Sequence, residues 1–582
     1  MISKIVNNKK NYILMLIIMS VAMFLFYRSF YWQQSGFSKR KLLEAVIIIF
    51  GVVVVPAAIV CINPLNNIVS NIFVKFKQLF TLIKENKKKT VVYVVIIVLI
   101  YPIVYLVMHG FTDNKYTILA VATVCYVLFF LYALRNYAVK RTEILFAIVA
   151  LLIGTFQIST IPLLPGMSAD DEAHYERTLV LANVFNGIYY EAEVKAFENY
   201  ASVILEHDTY DKESRNERYE EYNKLYAEKS VINHGFGERG VWSVAYVPSA
   251  IGIILAKGLS LSFTNTLFLS KFINLLTYVI VCYFAIKNIK SGKVLMSVLC
   301  LIPTLIYLAG NFSYDTWVFA FMMLGFSFFA NMVRTERKIE NKEFIAMNIC
   351  FLIGILPKAI YVFALIPLLF IPRTRFKARK QRALYYVFIV VTVLLLMASF
   401  LIPLLLNTGG ASDVRGGADV NSAGQIQYIL ANKGEFVKNL GAFLNSFLSL
   451  DKQNALVQYY EYLGKGQFTV LTIVVIAIVA FVDKAERVKD AIAVRVSSFI
   501  TFIICNAMVA VSMYIIFTAV ASESVAGCQN RYILPTLIPL CLFAIPGIKA
   551  ERIDKNRLAI VSIAIISLTF IFNIYYLSII YY

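Results

Sequence analysis

Long apolar runs alternate with short polar connections from one end of the chain to the other. A helix that crosses a bilayer needs about 20 mostly apolar residues. On that measure the pattern predicts spans at Ile13–Phe30, Leu42–Ile62, Val91–His109, Thr117–Leu134 and Ile144–Leu163. Ten further runs follow at Thr266–Ile286, Val294–Ala309, Thr316–Val333, Phe344–Leu356, Ala359–Ile371, Tyr385–Leu406, Phe468–Val482, Val496–Val520, Ile533–Ile545 and Leu558–Ile580. The pair flanking Pro357-Lys358 is short, which fits either a broken helix or a re-entrant hairpin. The stretch Ser243–Leu261 is apolar but short and carries Pro248. It reads as a helix in the outer interface, because a span there would invert the charge pattern downstream.

The polar connections set the expected orientation. Lys and Arg gather at the amino terminus, at 75–89, 135–141, 287–293, 334–342, 373–382, 484–495 and 549–557. Cytoplasmic loops are enriched in these residues. The amino terminus is therefore expected inside and the carboxyl terminus outside; the cluster Lys39-Arg40-Lys41 falls on the other side of that pattern. The two long polar loops, about 167–264 and 407–467, then face outward. The first holds nearly half of the acidic residues, and the second opens with the turn-rich stretch Asn407–Gly424. The first run, after Lys4, Lys9 and Lys10, lacks a small-residue cleavage site and reads as a retained anchor.

Composition agrees with this picture. Of 582 residues, 59% are hydrophobic and 15% charged, with mean hydropathy +0.71. A soluble protein could not hide so much apolar surface. The expected fold is an all-α, polytopic transmembrane helical bundle of about 13–15 spans. A four-span module, 1–142, would precede a main membrane domain, 143–582. The net charge of +20 is explained by topology, so no nucleic acid is expected as partner. The eight cysteines have no disulfide or zinc spacing, and phosphate-loop and HExxH motifs are absent.

Four polar features interrupt the apolar pattern. Asp170-Asp171-Glu172 and His174 follow Pro165-Gly166 at the end of a span. Acids in a first helical turn suit the macrodipole, and Ser168 with Asp171 three residues later approaches a capping box. The same helix would bring Asp170 (i+4) and Asp171 (i+3) within reach of His174, an arrangement suited to general-base work or metal binding. Asp315, after Asn311, Ser313 and Tyr314, is either a helix start or a polar site residue. Lys358 either snorkels to headgroups or meets a lipid phosphate. Arg531 and Tyr532 are either interfacial anchors or a phosphate site.

Taken in order, these features resemble the bacterial membrane proteins of domain-of-unknown-function family 2142, which look like GT-C superfamily glycosyltransferases. The resemblance rests on Asp170-Asp171-Glu172-Ala173-His174-Tyr175-Glu176-Arg177, on Tyr246-Val247-Pro248-Ser249-Ala250-Ile251-Gly252-Ile253, and on Lys271-Phe272-Ile273-Asn274. It continues through Pro303 with Ser313-Tyr314-Asp315, Lys358-Ala359-Ile360-Tyr361 and Gln529-Asn530-Arg531-Tyr532-Ile533-Leu534-Pro535. It covers Ile144 to the end. Asp171 stands where the family usually has Glu, Glu172 replaces a proline, and the Lys358 element lacks its prolines. The resemblance implies transfer of a sugar from a polyprenyl phosphate to an envelope glycan or lipid-linked acceptor, at the outer face of the bacterial plasma membrane. Asp171, or Asp170, would be the base, with His174 orienting it. Glu172, Tyr175, Arg177, Tyr314, Asp315, Lys358, Gln529, Arg531 and Tyr532 would bind substrate. No cofactor is assigned, although a divalent metal stays open. The rival readings are a transporter or flippase of lipid-linked glycans and a non-catalytic subunit of an envelope polysaccharide assembly.

Overall fold

The computed structural model describes residues 87–166, 170–183, 188–199, 212–232, 241–406, 417, 419–449, 467–483, 492–547 and 553–581. The first two expected spans, the cluster Lys39–Lys41, the cap residue Ser168 and both ends of the 407–467 loop, 407–416 and 450–466, lie outside the described residues.

The architecture is an all-α bundle. Its helices are α1 (Lys87–His109), α2 (Lys115–Leu134), α3 (Thr142–Thr160), α4 (Asp171–Ala182), α5 (Glu191–Glu198), α6 (Lys212–Glu228) and α7 (Val247–Gly258). They continue with α8 (Phe263–Asn288), α9 (Lys293–Cys300), α10 (Pro303–Ala309), α11 (Asp315–Arg334), α12 (Asn341–Ile355) and α13 (Arg379–Leu406). The rest are α14 (Ser422–Ala431), α15 (Lys433–Phe447), α16 (Gln467–Val482), α17 (Ile492–Ile516), α18 (Leu534–Pro539) and α19 (Lys555–Tyr581). Among the described residues, the β structure is one antiparallel pair, Tyr189–Tyr190 with Val231–Ile232. Among the described residues, eight helical segments are long and apolar enough to cross a membrane.

α3 is the axis of the bundle. Its sequence is apolar all round, and every one of its residues is buried, against α2, α8 and α19. A helix without a polar face belongs inside a bundle rather than at its surface. α2 and α19 also pack on each other, with Thr117 and Tyr575 hydroxyls 3.1 Å apart and the Asn556 amide oxygen accepting from the Val139 N–H.

Two expected spans differ in detail, and the short pair flanking Pro357-Lys358 takes one of its two expected forms. Val294–Ala309 is two short helices, α9 and α10, broken before Pro303, whose missing N–H cannot continue the ladder. Ile533–Ile545 is irregular for the same reason, with Pro535 and Pro539 separating a 3₁₀ turn, α18 and a π turn. The segment around Pro357-Lys358 is a hairpin. α12 ends at Ile355, the 3₁₀ segment Leu356–Phe370 follows it, and Lys358 within that segment, at φ −144° and ψ 69°, is the break after which the chain returns. The two feet meet, since Ile339 N–H donates to Arg375 O and Gln381 Nε2 donates to Ile339 O.

That hairpin defines two ends. The basic end holds its feet with 135–141, 287–293 and 334–342. Asp483 binds there too, its carboxylate accepting from the Leu295 N–H in the first turn of α9. The opposite end holds the hairpin apex, the start of α11 and the helices of the 167–264 loop. α7 does not stand apart in that loop. It folds back along the first turns of α8, and a Cβ on Gly252 would lie 2.4 Å from Ser270 Cα. Only glycine permits this approach, which the Ser270 hydroxyl seals by donating to Ser249 O at 2.7 Å. Lys257 of α7 then ties the loop together, pairing with Glu193 of α5 at 2.9 Å and donating to Asn183 Oδ1 at 2.8 Å.

Candidate functional site

Four charged side chains meet at the end opposite the basic one. Arg531 stands in the 3₁₀ turn Asn530–Ile533, 7% exposed. One of its terminal nitrogens donates to Asp170 Oδ2 at 3.1 Å, and its Nε lies 2.9 Å from Asp315 Oδ2. Lys358, at the hairpin apex, donates to the other oxygen of Asp315 at 3.2 Å. The result is a neutral chain, Asp170–Arg531–Asp315–Lys358, drawn from four distant parts of the sequence. Buried charges must be paired in this way, because each alone would lose several kcal/mol of hydration.

Asp170 carries the first turn of α4 in an uncommon conformation, φ 60° and ψ 19°. Asp tolerates this left-handed region better than most residues. The position precedes the helix, yet the carboxylate makes no capping hydrogen bond to it. It turns to Arg531 instead, which separates it from ordinary helix-start chemistry. Asp171 points the other way. It is fully buried, accepts from Gly166 N–H at 3.2 Å, and lies within electrostatic reach of Lys271. Lys271 donates to Asn311 Oδ1 at 3.0 Å, and Asn274 donates to Asn311 O at 2.7 Å. Two polar residues of α8 thus hold the α10–α11 connection immediately before Asp315, through Asn311.

Aromatic rings wall the charges. The Lys358 ammonium sits 3.4 Å from the Tyr532 ring centre, and 5.5 Å from that of Tyr314. The Tyr361 hydroxyl donates to Tyr532 O. His174 packs edge-on to Tyr314, and its Nδ1 is 2.8 Å from the Tyr246 hydroxyl. Its Nε2 is buried with no hydrogen-bond partner.

Burial lowers the His174 pKa to about 4; Arg531 and Lys358 act in the same direction, against Asp170 and Asp315. The imidazole is neutral at pH 7. A histidine whose folded pKa lies below its unfolded value near 6.5 contributes stability above pH 6.5 that is lost as pH falls towards 4. His174→Gln should flatten this part of the profile. The wild-type loss, measured by unfolding of the detergent-solubilised protein at pH 7 and pH 4, should exceed the variant's by on the order of 3 kcal/mol. Equal losses in both proteins would mean that His174 is not held neutral.

The other sequence-chosen residues are more scattered. Tyr175 is buried against Phe312, 5.1 Å between rings. Arg177 lies 3.9 Å from Glu176 and within electrostatic reach of Tyr246. Glu172 is half-buried on α4. Gln529 sits one turn before Tyr532 and accepts from its N–H through the backbone oxygen. Tyr246, Tyr361, Lys271 and Asn274 had no assigned role, although each falls in a quoted element. Their signal was a polar residue at a helix start or an i, i+3 polar pair inside an apolar run. Among the described residues, no three His, Cys, Asp or Glu side chains gather to hold a metal ion, and the seven described cysteines are free thiols.

Apolar helices long enough to span a bilayer, with paired charges enclosed at one end of their bundle, define a multi-pass membrane protein. The chain belongs to the family described as "predicted membrane protein (DUF2142)", which matches residues 151–541. That span runs from within α3 to just past α18 and contains all the residues of the charged cluster. No curated protein and no solved structure matches the chain.

Proposed function

We propose that this protein transfers a sugar from a polyprenyl-phosphate carrier to an envelope glycan or lipid-linked acceptor. The observation that carries the reading is the Asp170–Arg531–Asp315–Lys358 chain. It sets two cations able to grip a phosphate beside a carboxylate able to take a proton. The position of the chain supports surface chemistry over transport at the bilayer centre. α11 has 20 residues from Asp315 to Arg334, about 30 Å at 1.5 Å per residue, so Asp315 stands one hydrocarbon thickness from the basic end. With the basic connections in the cytoplasm, the cluster faces the extracytoplasmic side.

In this reading Arg531 and Lys358 bind the phosphate of the donor. The phosphate replaces Asp170 as a partner of Arg531, and Asp170, no longer held by a cation, becomes the stronger base. The acceptor hydroxyl attacks the anomeric carbon, and its proton passes to Asp170. The bond from that carbon to the phosphate oxygen breaks, and its electron pair leaves with the polyprenyl phosphate, whose charge the two cations stabilise. Asp170 takes this role ahead of Asp171 because its side chain is 29% exposed, whereas Asp171 is fully enclosed. Asp315 holds both cations in place. His174, fixed by Tyr246, offers Nε2 to the reacting groups.

The test uses purified full-length protein in bilayers. Lipid extract from cells lacking the gene supplies the donor, and their envelope fraction supplies the acceptor. Free polyprenyl phosphate should appear only when both are present, read by mass spectrometry of the lipids. Movement of intact donor across the bilayer without acceptor, and without release of polyprenyl phosphate, would overturn the reading in favour of transport.

A further inference from the structure

The cluster described above leaves the other end of the bundle unexplained. At the basic end, between the foot of the hairpin and the start of α13, lies a cavity of about 470 Å³ lined by Arg373, Arg379, Arg382, Ala383 and Tyr386. The nearby carboxylates are taken by other cations, Glu343 by Arg337 and Glu340 by Lys342. Arg375 turns away to donate to Thr335 O. Among the described residues, none of the three lining arginines is ion-paired. α13 adds no acid in its first turn, so its N-terminal amides add to the positive field. The Tyr386 hydroxyl is fixed by donating to Leu369 O at 3.2 Å.

An apolar surface continues from this cavity. Leu384, Val387, Val391 and Leu394 are exposed along one stripe of α13, at 38%, 54%, 47% and 62%. Leu369 and Phe370 are exposed beside it. α13 is the least enclosed of the eight candidate spans, with 22% of its apolar window buried. From 384 to 394 the stripe is about 15 Å long, half the hydrocarbon thickness of a bilayer.

We propose that this cavity binds an anionic phospholipid of the leaflet at the basic end. The headgroup phosphate lies between Arg373, Arg379 and Arg382, and an acyl chain runs along Leu384, Val387, Val391 and Leu394. Three unpaired guanidinium groups match a phosphate, which they can hold in paired hydrogen bonds. The stripe distinguishes a lipid from free phosphate, because an inorganic anion gains nothing from it. The site is separate from the charged cluster and does not depend on the transferase reading.

The experiment titrates delipidated full-length protein with phosphatidylglycerol, phosphatidylcholine and inorganic phosphate, read by native mass spectrometry. Wild type should bind phosphatidylglycerol in preference to phosphatidylcholine, and millimolar phosphate should not displace it. Arg379→Gln with Arg382→Gln should weaken phosphatidylglycerol binding at least about tenfold. Lys377→Gln with Lys380→Gln removes two charges from the same segment without touching the cavity, and should leave binding within about twofold. Arg379→Lys with Arg382→Lys keeps the charge and should still lose several-fold, which reads the site even if the glutamine pair fails to fold. Equal binding of both lipids, equal loss in the lysine-segment control, unchanged binding in the arginine variants, or displacement by phosphate would each overturn the proposal.

Discussion

Asp170→Asn should cut sugar transfer by about a hundredfold to ten-thousandfold at equal membrane abundance, the usual worth of a general base. The fold should change little, because Arg531 keeps Asp315 and the Asp170 side chain is part-exposed. Asp171→Asn is the informative companion. It removes a fully buried charge that faces Lys271, so the interior is left with an ammonium and only amide oxygens around it. Its first effect should be lower stability and lower abundance, with near-normal turnover in the protein that remains. Rates for both variants, normalised to folded protein, decide between the acids. Normal turnover in Asp170→Asn with loss in folded Asp171→Asn would return the base to Asp171.

Arg531→Gln should be the most destabilising change in the cluster. It leaves Asp170 and the more enclosed Asp315 facing each other with no cation between them, and breaking one partner from a buried ionic group costs about 3–5 kcal/mol. Lys358 still holds Asp315, which favours the lower part of that range. The double variant Arg531→Gln with Asp170→Asn removes one of the stranded carboxylates and should recover part of the loss. A double-mutant cycle on unfolding in detergent measures that coupling. Strict additivity would mean that the 3.1 Å contact between Asp170 and Arg531 carries no energy.

The membrane class was legible in the sequence, because hydrophobicity is a local quantity. The spans at Thr117–Leu134, Ile144–Leu163 and Thr316–Val333 match α2, α3 and α11 to within a few residues. Local breakers were harder to place. Pro303, Pro535 and Pro539 interrupt their spans, yet an apolar run containing a proline still reads as one helix. The hairpin at Lys358 stayed ambiguous for a related reason. Whether two short apolar runs cross in series or fold back depends on where their far ends meet, and Ile339 with Arg375 settles that only in three dimensions.

The polar residues divide in the same way. Sequence alone marked Asp170, Asp315, Lys358 and Arg531 as unusual, because charges at span ends break the apolar pattern. Their pairing spans up to 361 positions and belongs to no local motif. The tertiary structure also separated two adjacent acids. A left-handed backbone at Asp170 sends its carboxylate to Arg531, while the next residue, Asp171, enters the helix and turns towards Lys271. Neighbouring residues of one type look alike in a sequence. One backbone angle gives them different surroundings, and surroundings decide what a carboxylate can do.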